Sequence, residues 1–402
     1  MSTPSELLSS LQRNIRDYYG VEPERLIPLH APCFNEQEKR LVAECVDSTF
    51  VSSVGEYVIQ FEQQVADFVG AKQGVAVVNG TAGLMLALRV VGVKPNELVL
   101  TQSLTFVATA NAIAQLCAEP LFLDVDKTSL GLSAAALETY LQTQTEQQAA
   151  GCFDKQTGKR IAACVPMHTL GMPCEIERIV ELCHQYQIPV VEDAAESLGS
   201  LIEKRHTGTI GDVGVFSFNG NKIITTGGGG VLVTNRSDFA QHAKHLSTTA
   251  KQPHPWAFEH DERGYNLRLP NLNAALGVAQ MQKLPQFLKE KQQLHQLYQN
   301  FFAENVKKMP ESPVLQVISA PKGSQPNYWL NGIVLRDRQK RDEWLETLNQ
   351  NQIQARPLWT PLHQQPIYAQ SPRQPLPHTE WLAERVVNLP SGVRCYNGNH
   401  HH

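Results

Sequence analysis

The chain predicts an α/β fold: a large domain on a mostly parallel sheet, followed by a smaller α/β domain. Two observations predict it. From about residue 74, short β-branched runs alternate with helical segments, the pattern of βαβ units whose sheet is covered on both faces. After two long helical patterns, strand and helix signals resume near residue 313. The composition permits such cores: 402 residues, 42% hydrophobic and 18% charged, argue against disorder.

The elements follow in order. Thr3-Pro4-Ser5-Glu6 supplies an N-cap, a first-turn proline and a capping-box glutamate. Leu7, Leu8, Leu11, Ile15 and Tyr18 then recur at helical spacing. Helices are predicted over 36–48 and 56–69, the second closed by Gly70. Strands are predicted at 75–78, 98–100, 120–125, 161–166, 189–192, 213–218 and 230–234. Helices between them cover 82–91, 108–116, 133–141 and 176–186. The polar segment 248–263, with two prolines and two histidines, reads as a mobile loop. Residues 271–284 and 285–302 read as two long helices. The C-terminal part has strands at 314–318 and 329–335 and helices at 339–349 and 380–387. These divide the chain into 1–263, an N-terminal region with the large domain, and 264–395, the long helices with the small domain. Residues 396–402, ending in three histidines, read as a tag remnant.

Several function classes are disfavoured. Lys plus Arg is 35 against 39 Asp plus Glu, a net charge of −4 with no basic block for nucleic acid or a membrane surface. The longest nearly charge-free run, 75–93, is broken by Asn79-Gly80-Thr81 and carries Arg89, so no membrane span is expected. No secretory signal opens the chain. Eight cysteines without a CxxC pattern read as reduced and mostly buried, as in a cytoplasmic protein.

Ligands of such sheets bind beyond the carboxyl ends of the strands, and five of those ends carry unusual residues. Asn79-Gly80-Thr81-Ala82-Gly83 allows close backbone approach, with Thr81 placed to cap a helix whose N-terminus attracts an anion; an ordinary βα turn is the alternative. Thr105-Phe106 offers a ring to stack on a planar ligand or to fill the core. Asp193, in Glu192-Asp193-Ala194-Ala195-Glu196, needs a cationic partner such as a protonated ring nitrogen, unless it caps the following turn. Lys222, in Ser217-Phe218-Asn219-Gly220-Asn221-Lys222, has uncharged neighbours at a strand mouth. It is either a Schiff-base nucleophile or a solvated loop lysine. The run Gly227-Gly228-Gly229-Gly230 that follows lacks the strand-turn-helix context of a nucleotide loop. Finally, Asn266 and Arg268 precede a helix start, placed for anion contact.

Taken together and in order, these blocks resemble the DegT/DnrJ/EryC1/StrS family of sugar aminotransferases. The matching pieces are Asn79-Gly80-Thr81, Thr105-Phe106-Val107-Ala108-Thr109-Ala110-Asn111, Glu192-Asp193-Ala194-Ala195, Phe216-Ser217-Phe218 before Lys222, and Gly264-Tyr265-Asn266. Arg356-Pro357-Leu358-Trp359 and Pro361-Leu362-His363 continue the match. The resemblance spans about residues 29–389. It implies the pyridoxal phosphate (PLP) fold type I, aspartate aminotransferase-like, and amino transfer from L-glutamate to a nucleotide-linked ketosugar.

By the same resemblance, Lys222 carries PLP and moves the proton. Asp193 pairs with its ring nitrogen, and Phe106 stacks on the ring. Gly80, Thr81 and Ser217 bind its phosphate, and Glu196 belongs to the cofactor site. Asn266 arrives from the second subunit of a homodimer with shared sites. His168, Arg268, Arg356, Trp359 and His363 fall on the substrate side. Glu196 and the uninterrupted glycine run are similar to the branch acting on UDP-linked 4-keto-6-deoxy-N-acetylhexosamines, which implies a UDP-4-amino sugar for surface glycans. A dTDP- or GDP-linked 3- or 4-ketosugar is the alternative acceptor. A PLP-dependent sugar dehydratase is the alternative reaction, against which Lys222 counts because histidine replaces it there.

Overall fold

The computed structural model describes residues 4–307, 309 and 311–395. The Thr3 cap and the terminal histidines lie outside the described residues. Seven strands form the central sheet: β1 (Gln73–Val77), β2 (Leu98–Gln102), β3 (Glu119–Leu123), β4 (Ile161–Val165), β5 (Val191–Asp193), β6 (Val213–Ser217) and β7 (Gly230–Thr234). Their spatial order is β1-β7-β6-β5-β4-β2-β3, with β4 and β5 joined through Cys164–Val190 and Met167–Asp193. Only β7 runs against the others. Val99, Leu100, Val191, Val215 and Leu232 are fully buried, as expected of strands covered on both faces.

Helix α1 (Pro4–Tyr19) does not pack on this sheet. Its Leu7, Leu8, Leu11 and Ile15 join Leu294, Tyr298, Phe302, Trp344 and Val387 in a separate core beneath the C-terminal sheet. That sheet is β8 (Val314–Val317), β9 (Asn331–Leu335), β11 (Val386–Leu389) and β10 (Arg356–Pro357), in that order.

Three sequence expectations need correction. The two helices meeting at Pro285 are one 36-residue helix, Asn271–Val306. Leu284, Phe287, Lys291, Leu294, Tyr298 and Phe302 form a buried stripe that carries it past the proline, outweighing a local cost of about 3 kcal/mol. The helix expected over 380–387 stops at Ala383, and Val386–Leu389 becomes a central strand. A run as short as Val386-Val387-Asn388-Leu389 has no clear period to distinguish the two. The loop 248–263 is a pinned hairpin. Lys251 pairs with His260, Arg89 and His242 hold Glu262, and His245 holds Asp261.

The cysteine reading changes too. Cys33 and Cys395 form a disulfide across 362 residues, a pairing that no local spacing announces. Of the six free cysteines, Cys117 is exposed and the others are buried. No helix among the described residues is long and apolar enough to cross a membrane.

Candidate active site

The carboxyl ends of β1, β2, β5 and β6 converge on one edge, and each delivers a residue expected there. Asp193 ends β5 and is 2% exposed. Thr109 donates its hydroxyl to Oδ2 at 2.7 Å, and the Ala195 N–H donates to Oδ1 at 3.2 Å. The second bond is the local turn role weighed for this residue; the first ties it to the helix after β2. Burial pushes its pKa up, opposed by the Thr109 and Ala195 bonds and by the charge of Lys222. Among the described residues no cation forms an ion pair with it.

Lys222 lies five residues beyond Ser217, in a turn closed by its own N–H on Asn219 O. Its Nζ is 3.2 Å from Glu196 Oε1 and 4.2 Å from the centroid of the Trp329 ring. Trp329 in turn donates Nε1–H to Asn221 O at 2.7 Å, which fastens the C-terminal domain to the lysine turn. The other oxygen of Glu196 accepts the Leu170 N–H at 2.9 Å. Burial raises the Glu196 pKa, and Lys222 opposes that shift. Of the two buried carboxyl groups, Glu196 takes the Lys222 ammonium and Asp193 is left without an ion pair. A ligand bringing a protonated ring nitrogen to Asp193 would balance the charge.

Beside them is an anion cradle. Asn79, not Thr81, caps helix Gly80–Val90, accepting the Ala82 N–H at 2.8 Å. That leaves the Gly80-Thr81 turn facing Ser217. A Cβ on Gly80 would stand 3.0 Å from Ser217 Cβ and 3.2 Å from its Oγ. The glycine packs the helix N-terminus directly on the serine, where N–H groups and a hydroxyl suit a phosphate. The glycine run serves packing: a Cβ on Gly230 would meet the Asn79 carbonyl at 2.8 Å. A buried carboxylate without a cation, an adjacent lysine and this cradle together fit PLP.

The outer wall comes from the C-terminal domain. Phe106 is 50% exposed, its ring centroid 6.4 Å from that of Trp359. His363 Nδ1 is 2.8 Å from Ser103 Oγ, and its Nε2 is 3.3 Å from Glu380. Arg356 is exposed on β10 and bonds Asn349 and Ala355 O. Asn266 is exposed and accepts from Arg268 Nε at 3.0 Å. The Arg268 backbone pairs with Val77, so both residues border the end of β1.

His168 sits elsewhere. It is fully buried behind the sheet edge, with Nε2 2.9 Å from Glu192 Oε2. The Cys174 N–H donates to Nδ1 at 3.2 Å, so the ring proton sits on Nε2 and is given to Glu192. Neither nitrogen is left for a ligand. Glu192 also accepts the N–H groups of Gly208, Ile210 and Gly211. Sequence reading missed two residues around the lysine. Trp329, which lies against its ammonium, was seen only as a strand start. Asn327, which donates to Glu196 O and Leu198 O and so braces the lysine's partner, carried no signal at all.

The comparisons agree with this geometry. The model of the DegT/DnrJ/EryC1/StrS aminotransferase family matches residues 32–400. The chain is 36% identical to EpsN of Bacillus subtilis (strain 168), whose full name includes "pyridoxal phosphate-dependent aminotransferase", over 91% of each protein. It is 33% identical to the GDP-perosamine synthase of Escherichia coli O157:H7, over 91% of this chain and 93% of that protein. Among solved structures it resembles the aminotransferase TlmJ from Streptoalloteichus hindustanus, with TM-score 0.80 and 28% identity over 91% and 93% of the two chains.

Proposed function

The chain belongs to the DegT/DnrJ/EryC1/StrS aminotransferase family, the PLP-dependent sugar aminotransferases, and on that premise we propose that it moves an amino group from L-glutamate to C4 of UDP-2-acetamido-2,6-dideoxy-4-hexulose. The observation that carries the amino-transfer reading is the placement of Lys222 and the uncompensated, buried Asp193 beyond neighbouring strand ends.

PLP, when bound, supplies a carbonyl carbon and an electron sink. The residues do the rest. Asp193, clamped by Thr109, holds a proton on the ring nitrogen. Lys222 would be the nucleophile that holds the cofactor and, once free, the base that moves a proton at the amino donor. Glu196 stands within hydrogen-bond reach of its ammonium. Gly80, Thr81 and Ser217 hold the phosphate, and Phe106 covers the ring. Arg268, Arg356, Trp359 and His363 border the side from which a sugar nucleotide enters.

The UDP-linked acceptor rests on the sequence around Glu196 and Lys222. A GDP-linked ketosugar is the second reading, favoured by the likeness to a GDP-perosamine synthase. Assembly as a homodimer fits the exposed apolar residues near α-helical segments 36–47 and 56–69: Phe34, Val46, Phe50, Val54 and Ile59. In that dimer Asn266 serves the partner's phosphate site.

The test is product mass spectrometry with glutamate and a panel of UDP-, dTDP- and GDP-linked 3- and 4-ketosugars. An amino product from the UDP-linked 4-ketosugar alone supports the reading. Product only from GDP-linked sugars replaces the nucleotide, and no amino product from any of them removes the proposal.

A further inference from the structure

We propose that His30 is a substrate-positioning residue that hydrogen-bonds a hydroxyl of the acceptor's sugar ring beside Lys222. The inference rests on the aminotransfer reading above and adds a residue that neither the sequence motifs nor the family blocks contain.

Both ring nitrogens of His30 are buried, and neither has a partner among the described residues. Buried polar atoms are nearly always paired, so two on one ring call for an occupant. The backbone gives the ring little freedom to find one elsewhere. Ile27 exchanges bonds with Gln352 and Gln354, at 2.8 and 2.9 Å. The Leu29 N–H donates to Gln354 Oε1 at 3.1 Å, and its carbonyl accepts the Ser391 N–H at 2.7 Å.

These anchors tie His30 to the wall of the lysine site. Lys291 Nζ donates to Ser391 O at 2.6 Å and to Trp329 O at 3.0 Å. The Trp329 ring lies over Lys222. The Leu29–His30 segment, Ser391, Lys291, Trp329 and Lys222 thus form one continuous set of contacts.

The charge of the ring selects the ligand class. Burial, then the ammonium groups of Lys291 and Lys222, hold its pKa well below the ordinary value, so the ring is neutral. A neutral imidazole presents one N–H and one lone pair. Phosphate or a donor carboxylate offers acceptors only and leaves the lone pair unmatched. An ammonium offers donors only. A hydroxyl donates and accepts, and the proposed acceptor carries one on C3, between its acetamido-bearing C2 and its C4 carbonyl.

Two variants and two half-reactions test this. His30→Phe keeps an aromatic ring and removes both polar atoms; His30→Asn keeps a donor and an acceptor. The glutamate half-reaction is followed as a single-turnover absorbance change without ketosugar. The second half is followed by steady-state kinetics on a ketosugar that the wild type accepts. His30→Phe should keep the glutamate half-reaction within about twofold and lose roughly ten- to hundredfold in kcat/KM for the ketosugar, mostly through KM. His30→Asn should recover part of the loss. The cofactor-free His30→Phe protein should melt no lower than wild type, because two unpaired buried polar atoms are gone. Unchanged ketosugar kinetics in His30→Phe would overturn the inference. So would equal losses in both half-reactions, which mark a structural role. A wild type that accepts no ketosugar refutes the aminotransfer reading and this inference with it; an active wild type beside an equally active His30→Phe refutes only the inference.

Discussion

The Lys222 ammonium lies 4.2 Å from the centroid of the Trp329 indole, so a side chain of the C-terminal part covers a lysine delivered by the large sheet. The indole N–H bond to Asn221 O holds the turn that presents this proposed nucleophile. Trp329→Phe should keep a ring face and lose that bond, whereas Trp329→Leu loses both. Turnover should fall in that order, by roughly ten- to hundredfold for leucine, the sum of a desolvated cation–π contact and a hydrogen bond. Steady-state rates of the three proteins check this, and equal rates would contradict it.

Asp193→Asn separates stability from function. In the cofactor-free protein Asp193 is a buried carboxylate with a raised pKa. The unfolded chain therefore ionises first, and stability falls as pH rises from the ordinary carboxylate range through the raised value. Asparagine removes that fall. The cofactor-free variant should be at least as stable as wild type at pH 7 by thermal melting, yet lose most turnover.

Thr109→Val removes the strongest donor to Asp193 and leaves burial less opposed. The Asp193 pKa should rise further. The acid limb of the kcat/KM profile should then move to higher pH, with a loss of roughly tenfold at neutrality. A profile shifted to lower pH would contradict the clamp.

Lys291 is buried with no carboxylate paired to it among the described residues, and burial brings its pKa down to about 7. Between there and the usual lysine range the unfolded chain holds the extra proton, so this lysine makes stability rise with pH, by at most about 1.4 kcal/mol per unit. Lys291→Met should flatten the melting temperature between pH 7 and 10. An unchanged slope would show that another group produces it.

Asn266 and Lys222 allow a test of shared sites. Each alanine variant should be impaired alone. If Asn266 serves the partner's site, a mixed dimer has one site with both lesions and one with neither. Refolding the two variants together should then recover activity towards about a quarter of wild type if subunits mix at random. No recovery, with mixed dimers demonstrated, would place Asn266 in its own subunit's site.

Much of this site was legible because strand ends write their chemistry locally. Asp193, Ser217 and Lys222 each follow an apolar run, and the parallel sheet brings those ends to one edge. What the sequence left dark is what depends on distant packing. Trp329 reaches Lys222 only because the C-terminal domain folds back, and Thr109, from the helix after β2, reaches Asp193 past the intervening strand β4. His168 looked available until Glu192 and Cys174 took both nitrogens. Asn79 displaced Thr81 as the helix cap because the helix starts two residues earlier than expected. The Cys33–Cys395 pairing and the strand at Val386–Leu389 needed the fold itself.

The central claim is that Lys222 is the cofactor-bearing nucleophile facing Asp193. The direct measurement is borohydride reduction of the PLP-loaded protein, followed by digestion and peptide mass mapping. The account predicts the pyridoxyl mass on the peptide containing Lys222, and its loss in Lys222→Ala. The label on another lysine in the wild type, or an unchanged label in Lys222→Ala, would contradict it.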